Sequence, residues 1–291
     1  MQIVTDCAAD MPGEELEELG IMQAPLYIQF PEGEVSSTDI SPDDFYDRLE
    51  AMQPQIPTTA MPSTGLLAEI YSTLAKVDKD ILSIHISSGL SGTIQAARAA
   101  AEQLGQQAHI HFWDTLTLSG GERFQVMAAA LAAKAGWTVS AIEQRLEDIR
   151  ARTEVVYTLD TLDYLARGGR IGRVKALAGA LLHLKPIIRV DRDGKYSSVS
   201  SARTISKSIL AMTEHIHERY AQAPLWVTVL HGRFAQRAEE LSRALREKLC
   251  IGRLEVMRIS PVLGVHTGPG IVGAAVVPAE VMEGLGRLIY N

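Results

Sequence analysis

The chain has 291 residues, with 28 Lys and Arg against 35 Asp and Glu and a formal net charge of -7. Its length predicts two domains of ordinary size, with one large domain as the alternative. Its 46% hydrophobic and 22% charged residues exclude a disordered or fibrous protein. The negative charge argues against a general affinity for nucleic acid. Two distant cysteines, Cys7 and Cys250, have the spacing of neither a disulfide framework nor a zinc site, which fits a reducing compartment.

Targeting signals are not evident in the sequence. Residues 1–6 have neither the basic start nor the apolar stretch of a secretory signal, so we expect a cytoplasmic protein. The longest apolar runs, such as 126–133 and 271–277, fall well short of the roughly 20 residues that cross a bilayer. No transmembrane segment is predicted.

Short apolar runs alternate with amphipathic segments along the first part of the chain. The runs are residues 3–4, 81–86, 110–113 and 155–159. This alternation predicts parallel strands joined by crossover helices. Ser41, followed by Pro42 and two acids, predicts a helix start. Further helices are predicted at 64–76, 121–135 and 140–152, the last capped by Ser140.

The second half has a different pattern. Two alternating runs, 186–190 and 195–199, flank an Asp- and Gly-rich turn and predict a β-hairpin. Helical patterns at 204–220 and 234–249 lie beside predicted strands at 225–230 and 254–259. We therefore predict an α/β fold with two domains: residues 1–152, with a mostly parallel sheet and crossover helices, and residues 153–291, an α/β domain with antiparallel strands.

Two hydroxyl-rich segments precede predicted helices. Residues 57–63, taken alone, are better explained by a capped helix entry than by a binding loop. In residues 87–93, Ser91 should sit at or beside a helix start, where its hydroxyl, free N–H groups and the helix dipole would favour an anion. A glycine-rich turn with a serine cap explains the same residues. Because Gly92 follows Ser91 directly, the Gly-x-Ser-x-Gly pattern of a hydrolase is not met.

Two glycine-rich segments occur in the second half. In residues 165–172 we interpret Gly168 as a helix C-cap and Arg167 and Arg170 as surface or interdomain residues. Residues 261–270 are interpreted as a rigid Gly/Pro loop carrying His266 and Thr267, which favours a site. A formal G-x-G-x-x-G match there does not predict a nucleotide site, because a strand pattern follows it where that motif requires a helix.

Metal and phosphate motifs are not supported. His109 and His111 would share one face of a strand, but no third ligand is near them in sequence. The G-x-x-x-x-G-K pattern of a phosphate-binding loop is missing.

Taken together, these segments resemble the DegV family, whose bacterial members include the fatty acid-binding subunits of fatty acid kinase. The resemblance covers nearly the whole chain and rests on Thr5-Asp6, the Thr59 segment, residues 87–93, Asp114-Thr115, Ser119-Gly120, residues 165–172, Lys185-Pro186 and residues 266–270. There are two departures. Thr59-Ala60-Met61-Pro62 stands where the family usually has Thr-Ser-Gln-Pro, and Thr5-Asp6-Cys7 where it has Thr-Asp-Ser. Met61 would make the local wall more apolar and adaptable, which would change the preferred acyl chain.

The resemblance implies a fold that buries a long-chain fatty acid and holds its carboxylate in a polar pocket near the domain junction. Carried over by position, the carboxylate contacts are Thr59, Ser91, Arg203 and His266, with Thr267 beside them. It also implies a lipid-binding subunit of phospholipid metabolism that is not itself an enzyme and has no cofactor or ATP site. A separate kinase catalytic subunit would use ATP to make the acyl phosphate. Transient membrane contact is compatible with this role, and no nucleic acid partner is expected.

Two other functions remain open from the residues alone. One is a small-molecule transferase or hydrolase in which Ser91 is the nucleophile and His266 its base. The other is a regulatory ligand sensor without a kinase partner.

Overall fold

The protein is built around two larger β-sheets. Its computed structural model describes residues 1–174, 184–221 and 223–285. The first half contains strands β1 (Gln2–Asp6), β2 (Ile21–Ala24), β3 (Tyr27–Phe30), β4 (Gly33–Ser36), β5 (Thr58–Ala60), β6 (Asp80–His85) and β7 (His109–Asp114), and helices α1 (Gly13–Leu19), α2 (Pro42–Ala51), α3 (Thr64–Ala75), α4 (Thr93–Leu104), α5 (Gly120–Lys134) and α6 (Val139–Arg152). The second half contains strands β8 (Glu154–Thr158), β9 (Lys185–Val190), β10 (Tyr196–Ala202), β11 (Leu225–His231), β12 (Ile251–Arg258) and β13 (Val272–Pro278), and helices α7 (Asp163–Arg167), α8 (Ile205–Tyr220), α9 (Ala235–Lys248) and α10 (Pro261–Thr267).

The first sheet is parallel, in the order β2-β1-β6-β7, which confirms the predicted crossover arrangement. Alternate residues of its strands face opposite layers, so Ile81 packs against α3 and α4 while Leu82 faces α5. Five consecutive residues of β6 are buried, the pattern of a parallel strand covered on both faces.

The second sheet is mixed, in the order β10-β9-β8-β13-β11-β12. The predicted hairpin is confirmed as the antiparallel pair β9 and β10, whereas β11 and β12 are parallel. Helices α8 and α9 cover one face and α5 covers the other. The predicted α/β fold, with antiparallel strands in the second half, is therefore confirmed.

Helix α5 lies between the two sheets. Its residues 120–132 are all buried, as expected for a helix covered on every side. A Cβ at Gly120 would lie 2.7 Å from the Cβ of Ala275 in β13, so only glycine permits this close approach.

Several expectations are corrected by the structure. Residues 261–270 are not a Gly/Pro loop throughout, because α10 forms from Pro261, and proline is well suited to the first helical turn. The cap of α6 is Thr138, whose hydroxyl accepts from the Ala141 N–H, and not Ser140. A third, antiparallel sheet in the order β4-β3-β5 was not predicted, and it places Thr59 on a strand.

The other predicted helices and strands begin and end within a few residues of those observed. The strands of the parallel sheet precede Thr153 and those of the mixed sheet follow it, while the domain boundary itself stays a prediction. Residues 174–184 are mostly apolar in sequence, and 175–183 of them lie outside the described residues. No helix in the described ranges is both long enough and apolar enough to cross a bilayer.

Asp10 connects the two halves. The Ser119 hydroxyl donates to its Oδ2 at 2.5 Å, and the Ser260 N–H at the start of α10 donates to its Oδ1 at 2.7 Å. Burial raises the pKa of Asp10 to about 6, although these hydrogen bonds oppose the shift. Glu122 is buried nearby, and burial followed by the charges of Asp6 and Asp10 raises its pKa well above the usual range.

We expect Asp10→Asn to become progressively more stable than the wild type as the pH rises from about 4 to 7. The raised pKa means that the folded protein binds this proton more tightly than the unfolded chain, so the wild type loses stability as the pH rises through about 6. Asparagine removes the charge: its amide oxygen can still accept from the Ser260 N–H, and its amide nitrogen can donate to the Ser119 hydroxyl oxygen. The pH-dependent difference in unfolding free energy should reach at most about 3 kcal/mol.

Chemical denaturation at several pH values measures this difference. Asp148→Asn, on the exposed face of α6, is the matched control and should show no such trend. A constant difference between Asp10→Asn and the wild type over this pH range would contradict the argument.

Candidate ligand-binding cavity

A cavity of about 510 Å³ lies where the two halves meet, within the size range of small-molecule sites. Most of its walls are apolar. The apolar lining residues are Leu26, Ala60, Met61, Pro62, Ile86, Leu90, Ala96, Val262 and Leu263, and the other lining residues are Thr59, Ser63, Thr64, Ser91, Gly92, Arg170, Tyr196 and His266. The polar groups come from β5, the starts of α3 and α4, the segment after α7, β10 and α10.

His266 and Thr59 form the centre of the polar wall. The Nε2 atom of His266, in the last turn of α10, lies 2.9 Å from Oγ1 of Thr59 in β5. Only 8% of His266 is exposed, and burial, assisted by the positive charge of Arg170, lowers its pKa to about 3. The imidazole is therefore neutral at neutral pH.

The tautomer of His266 determines what Thr59 can offer to a ligand. Nδ1 of His266 is buried and has no hydrogen-bond partner within the described part of the chain. A proton on Nε2 leaves Nδ1 as an acceptor and lets His266 donate to Thr59, so no buried donor is unpaired. In this arrangement the hydroxyl hydrogen of Thr59 is free to donate into the cavity.

Gly168 makes room for His266. As predicted, Gly168 caps the end of α7, but its φ of -71° is accessible to any residue. A Cβ at this position would lie 2.2 Å from His266 Nδ1. The requirement for glycine therefore comes from the packing of the histidine, not from the helix cap.

Ser91 lies beside the start of α4, as predicted. Its Oγ is 2.8 Å from the Thr93 hydroxyl and accepts from the Thr93 N–H at 3.3 Å. The N-cap residue, Gly92, provides no side chain to the first helical turn. A hydroxyl and the positive end of the helix dipole therefore meet at the cavity wall, which is favourable for an anion.

The arginine in the cavity wall is Arg170, which the sequence interpretation assigned to the surface or the interdomain region. Its guanidinium donates to the carbonyls of Gly168 at 2.7 Å and Leu90 at 3.4 Å. In the described part of the chain, no carboxylate forms a salt bridge with Arg170. The only sequence feature that could have indicated this role is the position of Arg170 directly after two glycines. That feature alone does not distinguish a helix cap from a binding site.

The other expected residues are placed differently. Arg203, between β10 and α8, is exposed and does not line the cavity. Thr267 is buried, donates its hydroxyl to the Leu263 carbonyl at 3.0 Å, and borders a separate inner cavity of about 20 Å³. The structure thus brings Thr59, Ser91 and His266 together around one cavity, while the ligand roles of all five residues stay predictions.

The two departures from the family pattern have different surroundings. Met61 lines the cavity mouth with 51% of its surface exposed. Cys7 is buried and does not itself line the cavity; its Sγ accepts from the N–H of Leu26, which does, and burial raises the pKa of the thiol. Among the described residues, no group of three or more His, Cys, Asp or Glu side chains is arranged to hold a metal ion.

The fold and the cavity define an α/β protein with a mainly apolar cavity where its two halves meet. The model of the DegV family, described as an uncharacterised protein family, matches residues 1–279, and the chain belongs to this family. The resemblance seen in the sequence is therefore confirmed.

Relatives match over almost their entire length. A DegV domain-containing protein from Deinococcus radiodurans is 35% identical to this chain, and the match covers 95% of each sequence. Another, from Streptomyces coelicolor, is also 35% identical, and the match covers 94% of this chain and 97% of that protein. The DegV family protein from Thermus thermophilus, a fatty acid binder, has a TM-score of 0.88 and 27% identity, with 95% of this chain and 99% of that chain covered. DegV from Bacillus subtilis, also a fatty acid-binding protein, has a TM-score of 0.86 and 27% identity, with coverages of 95% and 98%.

Gly168→Ala should displace His266 and break its contact with Thr59, because the added methyl group would overlap Nδ1. We expect a destabilisation of about 1–3 kcal/mol, typical of overpacking. Gly65→Ala is the control, since a Cβ there meets only Ser63 Oγ at 3.9 Å. Thermal unfolding of the two variants and the histidine ring signals in NMR spectra measure the effect, and an unchanged His266 signal in Gly168→Ala would refute it.

Proposed function

We propose that the protein binds a long-chain fatty acid in the 510 Å³ cavity, with the carboxylate at the wall formed by Thr59, Ser91 and His266. The observation that carries this proposal is a neutral, buried histidine hydrogen-bonded to a threonine at the polar side of an apolar cavity. The fatty acid binding of the Thermus thermophilus and Bacillus subtilis relatives supports it.

The apolar tail would supply most of the affinity. At about 0.8 kcal/mol per buried methylene, a chain of about fifteen methylenes provides on the order of 12 kcal/mol before the costs of ordering and association. Leu26, Ile86 and Leu263 are among the side chains that would contact it.

The carboxylate requires donors to replace the water that it loses on binding. The hydroxyls of Thr59 and Ser91 can each donate a charge-assisted hydrogen bond of roughly 1.5–3 kcal/mol. Arg170 would supply the positive charge, because it has no carboxylate partner among the described residues and lies in the wall, whereas Arg203 is exposed. The head group would thus set the orientation of the ligand.

We further propose that the bound carboxylate is presented to a separate ATP-dependent kinase in the cytoplasm, which forms the acyl phosphate, and that this chain has no ATP site or other cofactor of its own. The family resemblance motivates this step. The half-exposed Met61 beside the polar wall supports it, because it indicates that the carboxylate end lies near the surface.

A serine hydrolase or transferase is not favoured by the geometry. His266 Nε2 is paired with Thr59, and Ser91 is paired with Thr93. A histidine with a pKa of about 3 is also a weak general base near neutral pH.

Arg170→Gln should weaken palmitate binding about tenfold or more, since it removes the cation from the cavity wall. Arg167→Gln is the matched control, because Arg167 lies in the same segment but is exposed and bonds to the Pro54 carbonyl. Arg203→Gln tests the position expected from the family. Isothermal titration of delipidated protein with palmitate measures all three. Equal affinities of Arg170→Gln and wild type, or a loss confined to Arg203→Gln, would overturn the role assigned to Arg170.

The kinase step predicts that acyl phosphate, trapped as the hydroxamate, forms from palmitate and ATP only when a fatty acid kinase catalytic subunit and this protein are both present. Thr59→Val should lower the yield, because it removes a carboxylate donor. Tight palmitate binding without product in the complete mixture would favour a sensor. Product from this chain and ATP alone would refute the proposed division of labour.

A further inference from the structure

The segment between β6 and α4, residues 86–92, carries Ser91 to the wall of the 510 Å³ cavity. Strand β6 lies between β1 and β7 in the parallel sheet, so the carboxyl ends of all three strands meet at one edge. Asp6 is the last residue of β1, and Asp114 is the last residue of β7. Two carboxylates that the proposed function does not use therefore lie on either side of the segment that leads to Ser91.

Both carboxylates hold the backbone of this segment. Asp6 Oδ2 accepts from the Ile86 N–H at 3.0 Å, and Ile86 itself lines the cavity. Asp114 Oδ1 accepts from the Ser88 N–H and from the Leu116 N–H, each at 3.1 Å. Asp6 is completely buried, whereas Asp114 is partly exposed. Substitution of Asp114 therefore removes one anchor of the segment with the smaller risk to the fold.

Ser87 fixes the turn that ends at Ser91. Its carbonyl accepts from the N–H groups of Leu90 and Ser91, both at 3.0 Å. Its hydroxyl donates to the Gly194 carbonyl at 2.7 Å and accepts from the Gly89 N–H at 3.1 Å. Ser87 is completely buried, and Gly194 lies in the turn between β9 and β10 in the second half. One residue thus sets the conformation of the turn and its position relative to the second half.

The exact position of Ser91 matters for a carboxylate, because a hydrogen bond weakens steeply with distance and angle. An alkyl tail is less demanding, since apolar contact is not directional. We propose that Ser87 and Asp114 are positioning residues for the ligand head group: neither lines the cavity, but both hold Ser91 and the start of α4 at its wall. This inference rests on the proposed function and assigns the residues that support its polar groups.

Isothermal titration of delipidated protein with palmitate and with hexadecanol tests this role, because the two ligands have nearly the same tail and differ in the charge of the head group. Asp114→Ala and Ser87→Ala should each lower the preference for palmitate over hexadecanol by about three- to tenfold and leave hexadecanol binding nearly unchanged. Equal weakening of both ligands, or an unchanged preference, would overturn the inference while palmitate binding by the wild type leaves the proposed function intact. A wild type that binds no palmitate would overturn the proposed function itself and this inference with it.

Two matched variants separate positioning from other effects. Asp114→Asn keeps the oxygen that accepts both N–H groups and should retain the wild-type preference, so a loss as large as that of Asp114→Ala would refute the positioning role. Ser88→Ala should also retain it, because the Ser88 side chain is exposed and makes no hydrogen bond in the described part of the chain. The same loss in Ser88→Ala as in Ser87→Ala would refute the role of Ser87. Should Ser87→Ala not fold, the contrast between Asp114→Ala and Asp114→Asn decides the question.

Discussion

The hydrogen bond between Thr59 and His266 is the contact on which the candidate site depends. It joins β5 in the first half to α10 in the second, across 207 positions of sequence. Because the imidazole is buried and neutral, it can orient the threonine hydroxyl without adding a charge that would have to be compensated. Gly168 packs against Nδ1 of this imidazole, and Arg170 lines the same cavity, so the segment after α7 adjoins the contact.

Helix α10 is supported at both ends by the first half. Asp10 and Ser37 accept hydrogen bonds from the backbone N–H groups of Ser260 and Val262, while Thr59 contacts His266 in the last turn of the helix. A seven-residue helix has little stability of its own, so these tertiary contacts fix its position. The ionisation of Asp10 and the geometry of the cavity wall are consequently connected through one short element.

The cavity separates two kinds of interaction. Helix α5 and the two sheets provide a rigid, close-packed frame, and the remaining apolar space suits an alkyl chain. Polar groups supplement this apolar lining: a helix start, the hydroxyls of Thr59 and Ser91, the imidazole of His266 and the half-buried Arg170. Such a division lets burial determine affinity while a few donors determine orientation and selectivity.

The sequence by itself determined the α/β class, the crossover strands, the hairpin and the position of Ser91, because hydrophobic periodicity and turn residues act over a few neighbouring positions. It also identified the family, and with it Thr59 and His266 as candidate residues. Only the tertiary structure decided that Arg170 and not Arg203 lines the cavity, that residues from Pro261 onward form a helix, and that β5 joins a third sheet. These outcomes depend on contacts between residues far apart in the chain, which local patterns do not encode.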